Sequence, residues 1–329
     1  MTTRYFNNAV NTSWDTLGNW WLDAAFSTHS DSIPVNGDTV FIGAQLDTGP
    51  SVAVTLPIVN VADASTGGGS FAFLGLDLAV VGVLNTYDGC YNYVNITATT
   101  WNSYGSSFGD NAIVTTWNSY DTSHVTNAIA TTWNSHGNSA GYGNVTVATW
   151  NSYDTSYGYQ CTVNATTWNS YGSSYLYGTI NATTWNSYGS SLNGGIVNAT
   201  TWNSYNSSNS SNPGSVVNAT TWNSHDSSFI DTSIVVATTW NSYDSSYNNN
   251  STVSATTWNS YGSSLNGGIV NATTWNSYGN SRNNGGNVYA TMTNFLSLTS
   301  VKACLASGGT LTGVVRILPA DILTTGFPS

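Results

Sequence analysis

The sequence predicts an all-β fold, a single-chain parallel β-solenoid (β-helix) with about 17 residues per coil and a cap at each end. Three observations predict it. A motif containing TTWNSY recurs at nearly constant spacing, apolar residues alternate ahead of its tryptophan, and the composition disfavours helices. The chain of 329 residues has 32 glycines, and all 15 of its acidic residues are aspartate. Glycine and aspartate are poor helix formers, so we do not expect a helical protein.

The repeat is centred on a tryptophan, which defines position 0 of each coil. Successive tryptophans lie 16 to 20 residues apart. The eleven residues at position 0 are Trp101, Trp117, Trp133, Trp150, Trp168, Trp185, Trp202, Trp222, Trp240, Trp258 and Trp275. A degenerate copy precedes them at residues 84–88, and another follows near Thr293 and Asn294.

The columns of the repeat indicate strands joined by one variable loop. Positions −5 and −3 are apolar in every copy and position −1 is always threonine, an alternation with the period of a strand. Asparagine and serine always follow the tryptophan, and glycine, aspartate or asparagine at +4 indicates a turn. All variation in length falls between the serine at +6 and the next −5, which is typical of a solenoid coil.

The same alternation predicts which side chains face outward. If −5, −3 and −1 face the core, positions −2, 0 and +2 face solvent, and the eleven tryptophans form an exposed column that contacts a glycan or another subunit. A bend near the asparagine at +1 is the alternative, since it would bring the tryptophan or the tyrosine at +3 into the core. The tryptophans would then be a packing ladder, buried in the coil or in an oligomer contact.

The two ends of the chain differ from the repeats. We expect an irregular N-terminal cap or attachment segment at 1–37, a parallel solenoid at 38–300 with its repeats at 96–281, and a C-terminal cap at 301–329. Near the start, NWW is followed by P-x-x-GDTVFI, which resembles the start of β-helical modules in phage fibre and spike proteins and in bacterial surface adhesins. The resemblance covers about 30 residues and implies a role on a virion or an extracellular surface.

Composition excludes several classes of function. Four basic residues in a chain of net charge −11 cannot form a nucleic-acid footprint. The N-terminus does not read as a secretory signal, and no apolar run is long enough for insertion into a membrane. The three cysteines, Cys90, Cys161 and Cys304, lack metal-ligand spacing and are interpreted as small hydrophobic residues. No metal site and no cofactor are predicted.

Catalysis is not predicted either. Asp226 and Asp244 occupy +4 in consecutive coils, which would place their Cβ atoms about 5 Å apart, near the carboxyl separation of a retaining glycosidase. Aspartate alternates with glycine and asparagine at this position, however, so ordinary turn chemistry is the preferred interpretation. His136 and His225 stand in the tyrosine column and are interpreted as structural substitutions.

The sequence therefore favours a non-enzymatic structural or adhesive fibre protein. The first candidate is a virion (phage) fibre, spike or surface-decoration component that contacts host-surface glycans and assembles as a trimer or a filament. The alternatives are a bacterial extracellular adhesin or filament subunit and, third, a glycan-degrading tailspike. Ice binding on a threonine face is disfavoured because the tryptophan column is expected to interrupt that face.

Overall fold

The protein is described by a computed structural model that covers residues 2–6, 10, 13–23, 25–42, 56–61, 78–87, 90–210, 214–296 and 310–317. It is an all-β parallel solenoid of about 13 turns of about 18 residues, which confirms the predicted fold class. The caps remain a prediction, and most of the segment 301–329 lies outside the described residues. The chain forms two compact units, Met1–Asn164 and Ala165–Ser329.

In the first unit, the strands from β3 onward pair in parallel, each with the next along the chain. β1 pairs in parallel with β3 and antiparallel with β2, and a short 3-10 helix, Leu17–Asn19, precedes β2. The strands are β1 (Thr3–Phe6), β2 (Trp20–Trp21), β3 (Thr39–Ile42), β4 (Leu56–Val61), β5 (Leu78–Thr86), β6 (Tyr91–Ser103), β7 (Phe108–Ser119), β8 (His124–Ser135) and β9 (Ala140–Ser152). Strand β10 spans Tyr157–Ser170.

A buried ion pair fixes the N-terminal strand to this ladder. Arg4 Nε lies 3.4 Å from Asp38 Oδ2, and the two side chains are 7% and 4% exposed. The guanidinium of Arg4 also donates to the hydroxyls of Ser30 and Ser32. A buried pair of this kind is costly to break from one side, because the remaining charge would be left without a partner.

In the second unit, long strands and short strands form two parallel stacks. The long strands are β11 (Tyr175–Ser187), β13 (Ile196–Ser204), β15 (Val216–Ser224), β17 (Ile234–Ser242), β19 (Thr252–Ser260), β21 (Ile269–Ser277), β23 (Asn287–Phe295) and β24 (Thr310–Ile317). The short strands are β12 (Leu192–Asn193), β14 (Asn209–Ser210), β16 (Phe229–Asp231), β18 (Tyr247–Asn249), β20 (Leu265–Asn266) and β22 (Arg282–Asn283). No helix among the described residues is long and apolar enough to cross a membrane.

The pairing register confirms that each repeat forms one coil. Trp185 pairs with Trp202, and the asparagine and serine that follow them pair in the same register. The two degenerate copies are also confirmed, because Leu84 pairs with Trp101 and Trp275 pairs with Thr293.

The predicted outward orientation of the tryptophans is wrong. All eleven residues at position 0 are at most 1% exposed, and the serines at +2 are at most 2% exposed. Positions −5 are buried and the threonines at −2 exposed, as predicted. The threonines at −1, which were expected to face the core, are only half-buried.

The cause is a break in the strand alternation at the two consecutive threonines. In the coil of Trp185, Thr183 is exposed, Thr184 half-buried and the tryptophan buried, so the alternation shifts by one residue. The ladder shows the same shift, since Ala182 and Thr184 pair with the next coil and Thr183 between them does not. The change therefore lies before the tryptophan, not at the asparagine after it.

The indole then crosses the interior to the opposite wall. A Cβ atom added at Gly109 would lie 2.2 Å from Cη2 of Trp101, and one added at Gly141 would lie 2.7 Å from Cη2 of Trp133. Both distances are too short for a side chain at these two positions while the ring keeps its place. The coil between them has the buried Val125 at the same position, so the indole reaches the opposite strand without a glycine in every coil.

The tryptophans stack on one another within each unit. Ring centroids of successive tryptophans are 4.3–5.3 Å apart in the first unit and 4.6–5.0 Å apart in the second. The rings are within 15° of parallel in both units. The alternative of a packing ladder inside the coil is therefore the observed arrangement.

Within each unit, the indole N–H groups of the repeat are paired with the coil before. Nε1 donates to the hydroxyl at +2 of the preceding coil at 2.8–3.2 Å. For Trp101 the acceptor is Thr86, which is the +2 residue of the degenerate copy. The invariant serine at +2 is explained by this bond, because a buried indole N–H without an acceptor is destabilising.

The asparagines at +1 form a second ladder. Within each unit, Nδ2 of one asparagine donates to Oδ1 of the asparagine one coil earlier at 2.7–2.9 Å. Such amide ladders require identical residues in register, which the repeat supplies.

Position +4 adopts the left-handed backbone conformation in every coil, with φ between 56° and 70°. Glycine enters this region without strain, and asparagine and aspartate tolerate it better than other residues. The restriction of +4 to these three residue types follows from the backbone, which confirms the predicted turn.

We expect the tryptophan fluorescence of the native chain to be blue-shifted and insensitive to iodide, because the indoles are buried within a single chain. Unfolding in denaturant should shift the emission to the red and make it quenchable, which serves as the internal control. Native emission that is already red and quenched by iodide would contradict the buried column.

Replacing Ser204 with alanine should destabilise the fold by about 1–3 kcal/mol, because the Nε1 of Trp222, which donates to it at 3.2 Å, loses its acceptor. The matched control is Ser207→Ala, which changes an exposed serine in the following turn. The measurement is the urea midpoint of both variants. Equal midpoints would show that the Trp222–Ser204 bond contributes nothing to stability.

Candidate binding surface

Because the tryptophans are buried, the surfaces open to a partner lie on the outside of the coils. Because the eleven predicted contact residues are enclosed within the chain, their rings present no exposed surface to a glycan or to a second subunit. The exposed columns of the repeat are the remaining places where a partner could be recognised.

One such surface in the second unit carries no charge. We call it the uncharged face, and it consists of positions −6, −4 and −2 in six coils, all exposed or half-buried. Its residues are Thr179, Asn181, Thr183, Ile196, Asn198, Thr200, Val216, Asn218, Thr220, Ile234, Val236, Thr238, Thr252, Ser254, Thr256, Ile269, Asn271 and Thr273. Only 6% of the residues of the chain are charged, so its composition favours such a face, and the same three columns are uncharged in the first unit as well.

A groove runs along this face over the alanines at −3. We call it the alanine groove. Its main part has a volume of about 580 Å³ and is lined by Ala182, Asn198, Ala199, Thr200, Asn218, Ala219, Thr220, Val236, Ala237, Thr238 and Thr256. A second part of about 380 Å³ shares three of these residues and extends to Tyr289. The alanines form the floor because a small side chain leaves a hollow between the ridges at −4 and −2.

The walls of the alanine groove carry hydrogen-bonding groups. Asn198 donates to Asn181, and Asn218 donates to Asn198, both at 2.9 Å between Nδ2 and Oδ1. Each amide has a further N–H and a further lone pair beyond this ladder. Among the described residues, the hydroxyls of Thr200 and Thr220 make no hydrogen bond. One wall therefore offers amides, and the other offers hydroxyls.

The first unit has a groove at different positions of the repeat. Its volume is about 360 Å³, and it is lined by Asn95, Asn111, Ala112, Ile113, Asn127, Ala128, Ile129, Asn144 and Thr146. Here asparagine stands at −6 and isoleucine at −4, whereas in the second unit asparagine stands mainly at −4. Because Ile113 and Ile129 are each 55% exposed, this groove is more apolar than the alanine groove.

A second exposed surface is the tyrosine column at +3. The rings stack 4.5–5.1 Å apart within each unit, and His136 and His225 each stack between two tyrosines. The prediction that these histidines replace tyrosine in a structural position fits this stacking. Burial, together with the neighbouring tyrosines, raises the pKa of Tyr104, Tyr188 and Tyr261.

The aspartates at +4 hydrogen-bond to the backbone of the adjoining turn. Oδ2 of Asp244 accepts from the backbone N–H of Asp226 at 3.4 Å, and Oδ2 of Asp226 accepts from that of Asn206 at 3.1 Å. Both aspartates have positive φ. Their placement in consecutive coils matches the sequence prediction, and their contacts are those of turn residues.

The cysteines in the described part of the chain lie in the interior. Cys90 and Cys161 are buried, in line with their interpretation as small hydrophobic residues, and Cys304 lies outside the described residues. Burial raises the pKa of the Cys161 thiol from 9.0 to about 12. The native protein therefore keeps this thiol protonated at pH values where an unfolded chain would lose the proton.

We expect the protein to lose stability as the pH rises from about 9 to about 12, because the unfolded state releases the Cys161 proton in this range and the native state does not. The measurement is the urea midpoint at pH 8, pH 10 and pH 11. Cys161→Ala is the control and should show a smaller loss. An identical pH dependence in both proteins would contradict a buried, protonated thiol.

Comparison with protein-family models, with curated proteins and with solved structures finds no match to this chain.

Proposed function

We propose that this protein is a non-enzymatic structural or adhesive fibre protein, a virion fibre, spike or surface-decoration component that contacts surface glycans. The observation that carries the proposal is the uncharged face, a long array of exposed hydroxyl, amide and methyl groups on a rigid parallel ladder. Sugars are uncharged rings with hydroxyl edges and apolar faces. A sugar therefore matches this surface better than nucleic acid does, because the phosphates of nucleic acid require clustered cations.

The interior supports a structural role. Stacked indoles, the indole-to-serine bonds and the asparagine ladder all link one coil to the next. A groove on such a scaffold is held in one shape before any ligand arrives, which lowers the entropy lost on binding.

The setting on a virion rests on the resemblance of the NWW and P-x-x-GDTVFI segment to phage fibres and spikes. The same segment resembles bacterial surface adhesins, so an extracellular adhesin or filament subunit is the second candidate. Labelling with an antibody against this chain separates the two, because a fibre is found on purified particles and an adhesin on the cell surface.

The contacts of Asp226 and Asp244 favour the first two candidates over the third, a glycan-degrading tailspike, because both carboxylates accept backbone hydrogen bonds within turns. Ice binding gains from the burial of the tryptophans, which removes the expected interruption of the threonine column. The column at −4 in the second unit disfavours ice binding all the same, since it has asparagine, valine or serine where a second threonine column would complete a flat array of hydroxyls.

The test is a binding and turnover assay with the full chain. We expect it to retain soluble surface polysaccharides in affinity electrophoresis and to release no new reducing ends from any polysaccharide that it binds. The double variant Asp226→Asn with Asp244→Asn is the control and should behave as the parent chain does. Release of reducing ends that is lost in this variant would favour the tailspike, and retention of no glycan would overturn the adhesive role.

A further inference from the structure

The alanine groove continues across the second unit. Its two parts share Val236, Ala237 and Thr256, and its alanine floor runs from Ala182 to Ala272. Six alanines lie on this floor, one in each coil, so five steps of about 4.8 Å give a length of about 24 Å. The groove is therefore a shallow, open depression along the direction in which the coils stack, longer than a pocket for a single small molecule.

The lining of the groove selects a neutral ligand. No residue that lines either part is charged. The whole chain carries a net charge of −11, which repels anionic polymers over the range of the Debye length. A cationic ligand would lose water on binding, and the lining has no carboxylate to compensate for that loss.

The groups on the walls suit a chain of sugars. The amides of Asn198 and Asn218 and the hydroxyls of Thr200, Thr220 and Thr238 can each donate and accept. The threonine hydroxyls recur in every coil on one side of the apolar floor, whereas the other side has asparagine in four of the six coils, Val236 in one and Ser254 in one. A ligand with hydroxyls along both edges therefore meets a continuous row of partners on one side and an interrupted row on the other. The flat strand face of a second protein could rest on the two ridges but would leave the hollow between them unfilled.

We infer that the alanine groove binds a single chain of a neutral polysaccharide, lying along the stacking direction of the coils. This inference rests on the proposed adhesive function and names its site and its class of ligand. It assigns recognition to the small residues at −4, −3 and −2 instead of the tryptophans at position 0.

The experiment compares the full chain with two variants that place a carboxylate in the groove wall, Thr220→Glu and Thr238→Glu. Both threonines are exposed, so the fold should be retained, which the native tryptophan emission checks. The matched control is Thr131→Glu, which changes the same repeat position in the first unit, where the threonine column lies outside the groove. The probes are neutral glucans, mannans and xylans, with alginate and hyaluronate as anionic polysaccharides.

We expect the parent chain and Thr131→Glu to be retarded equally by at least one neutral polysaccharide, with no retardation by the anionic ones. Each groove variant should bind at least about tenfold more weakly, because a ligand that covers the exposed wall would remove the hydration of the new carboxylate without giving it a partner. Sedimentation should give the same mass for all four proteins.

Each contrary result has a distinct meaning. Equal binding by the parent chain and both groove variants overturns the groove and leaves the adhesive function standing. Binding of anionic polysaccharides alone overturns the class of ligand. A mass that falls only in the groove variants identifies the groove as a contact between copies of this chain, which also overturns the inference. Retention of no polysaccharide by the parent chain overturns the inference together with the adhesive function.

Discussion

The structure depends on the burial of one indole in every coil together with its N–H group. A buried donor is costly to leave unpaired, and in the repeat its acceptor is a hydroxyl of the coil before. Serine at +2 meets this requirement at 2.8–3.2 Å. The preceding coil is therefore part of the environment in which the indole is buried. The ordered packing of one coil thus depends on the coil before it.

This interior explains the character of the exterior. Tryptophan, aliphatic residues and serine fill the core, and the outer columns are threonine, asparagine and tyrosine, of which the asparagines form ladders and the tyrosines form stacks. Several of the aspartates stand at the +4 turns, away from the alanine groove. These negative charges are thus separated from the surface proposed for recognition.

Much of the fold could be predicted from the sequence, because strand periodicity, turn residues and spacing act locally. The coil, the register, the amide ladder and the turn at +4 all follow from such patterns. The orientation of the tryptophan side chain, towards the core or towards solvent, could not be predicted, because the alternation breaks between Thr183 and Thr184. Two adjacent threonines give no sequence signal of such a break. The Asn-Ser pair that follows every tryptophan of the repeat could have predicted this burial. A serine that is present in every coil indicates a hydrogen-bond acceptor for a buried indole. The alanine groove was missed for a related reason: it is a hollow formed by several coils together.

The alignment of identical columns has a consequence for the length of such a chain. Each coil meets its neighbours through the same tryptophan, serine and asparagine, and differences in spacing are taken up by the loop after +6. A coil gained or lost by duplication or deletion of its gene segment would leave every remaining interface as it was. The number of coils can therefore change while the remaining interfaces are kept, with stability changing by the terms of the coil gained or lost, and the exposed groove would lengthen or shorten in steps of one rung.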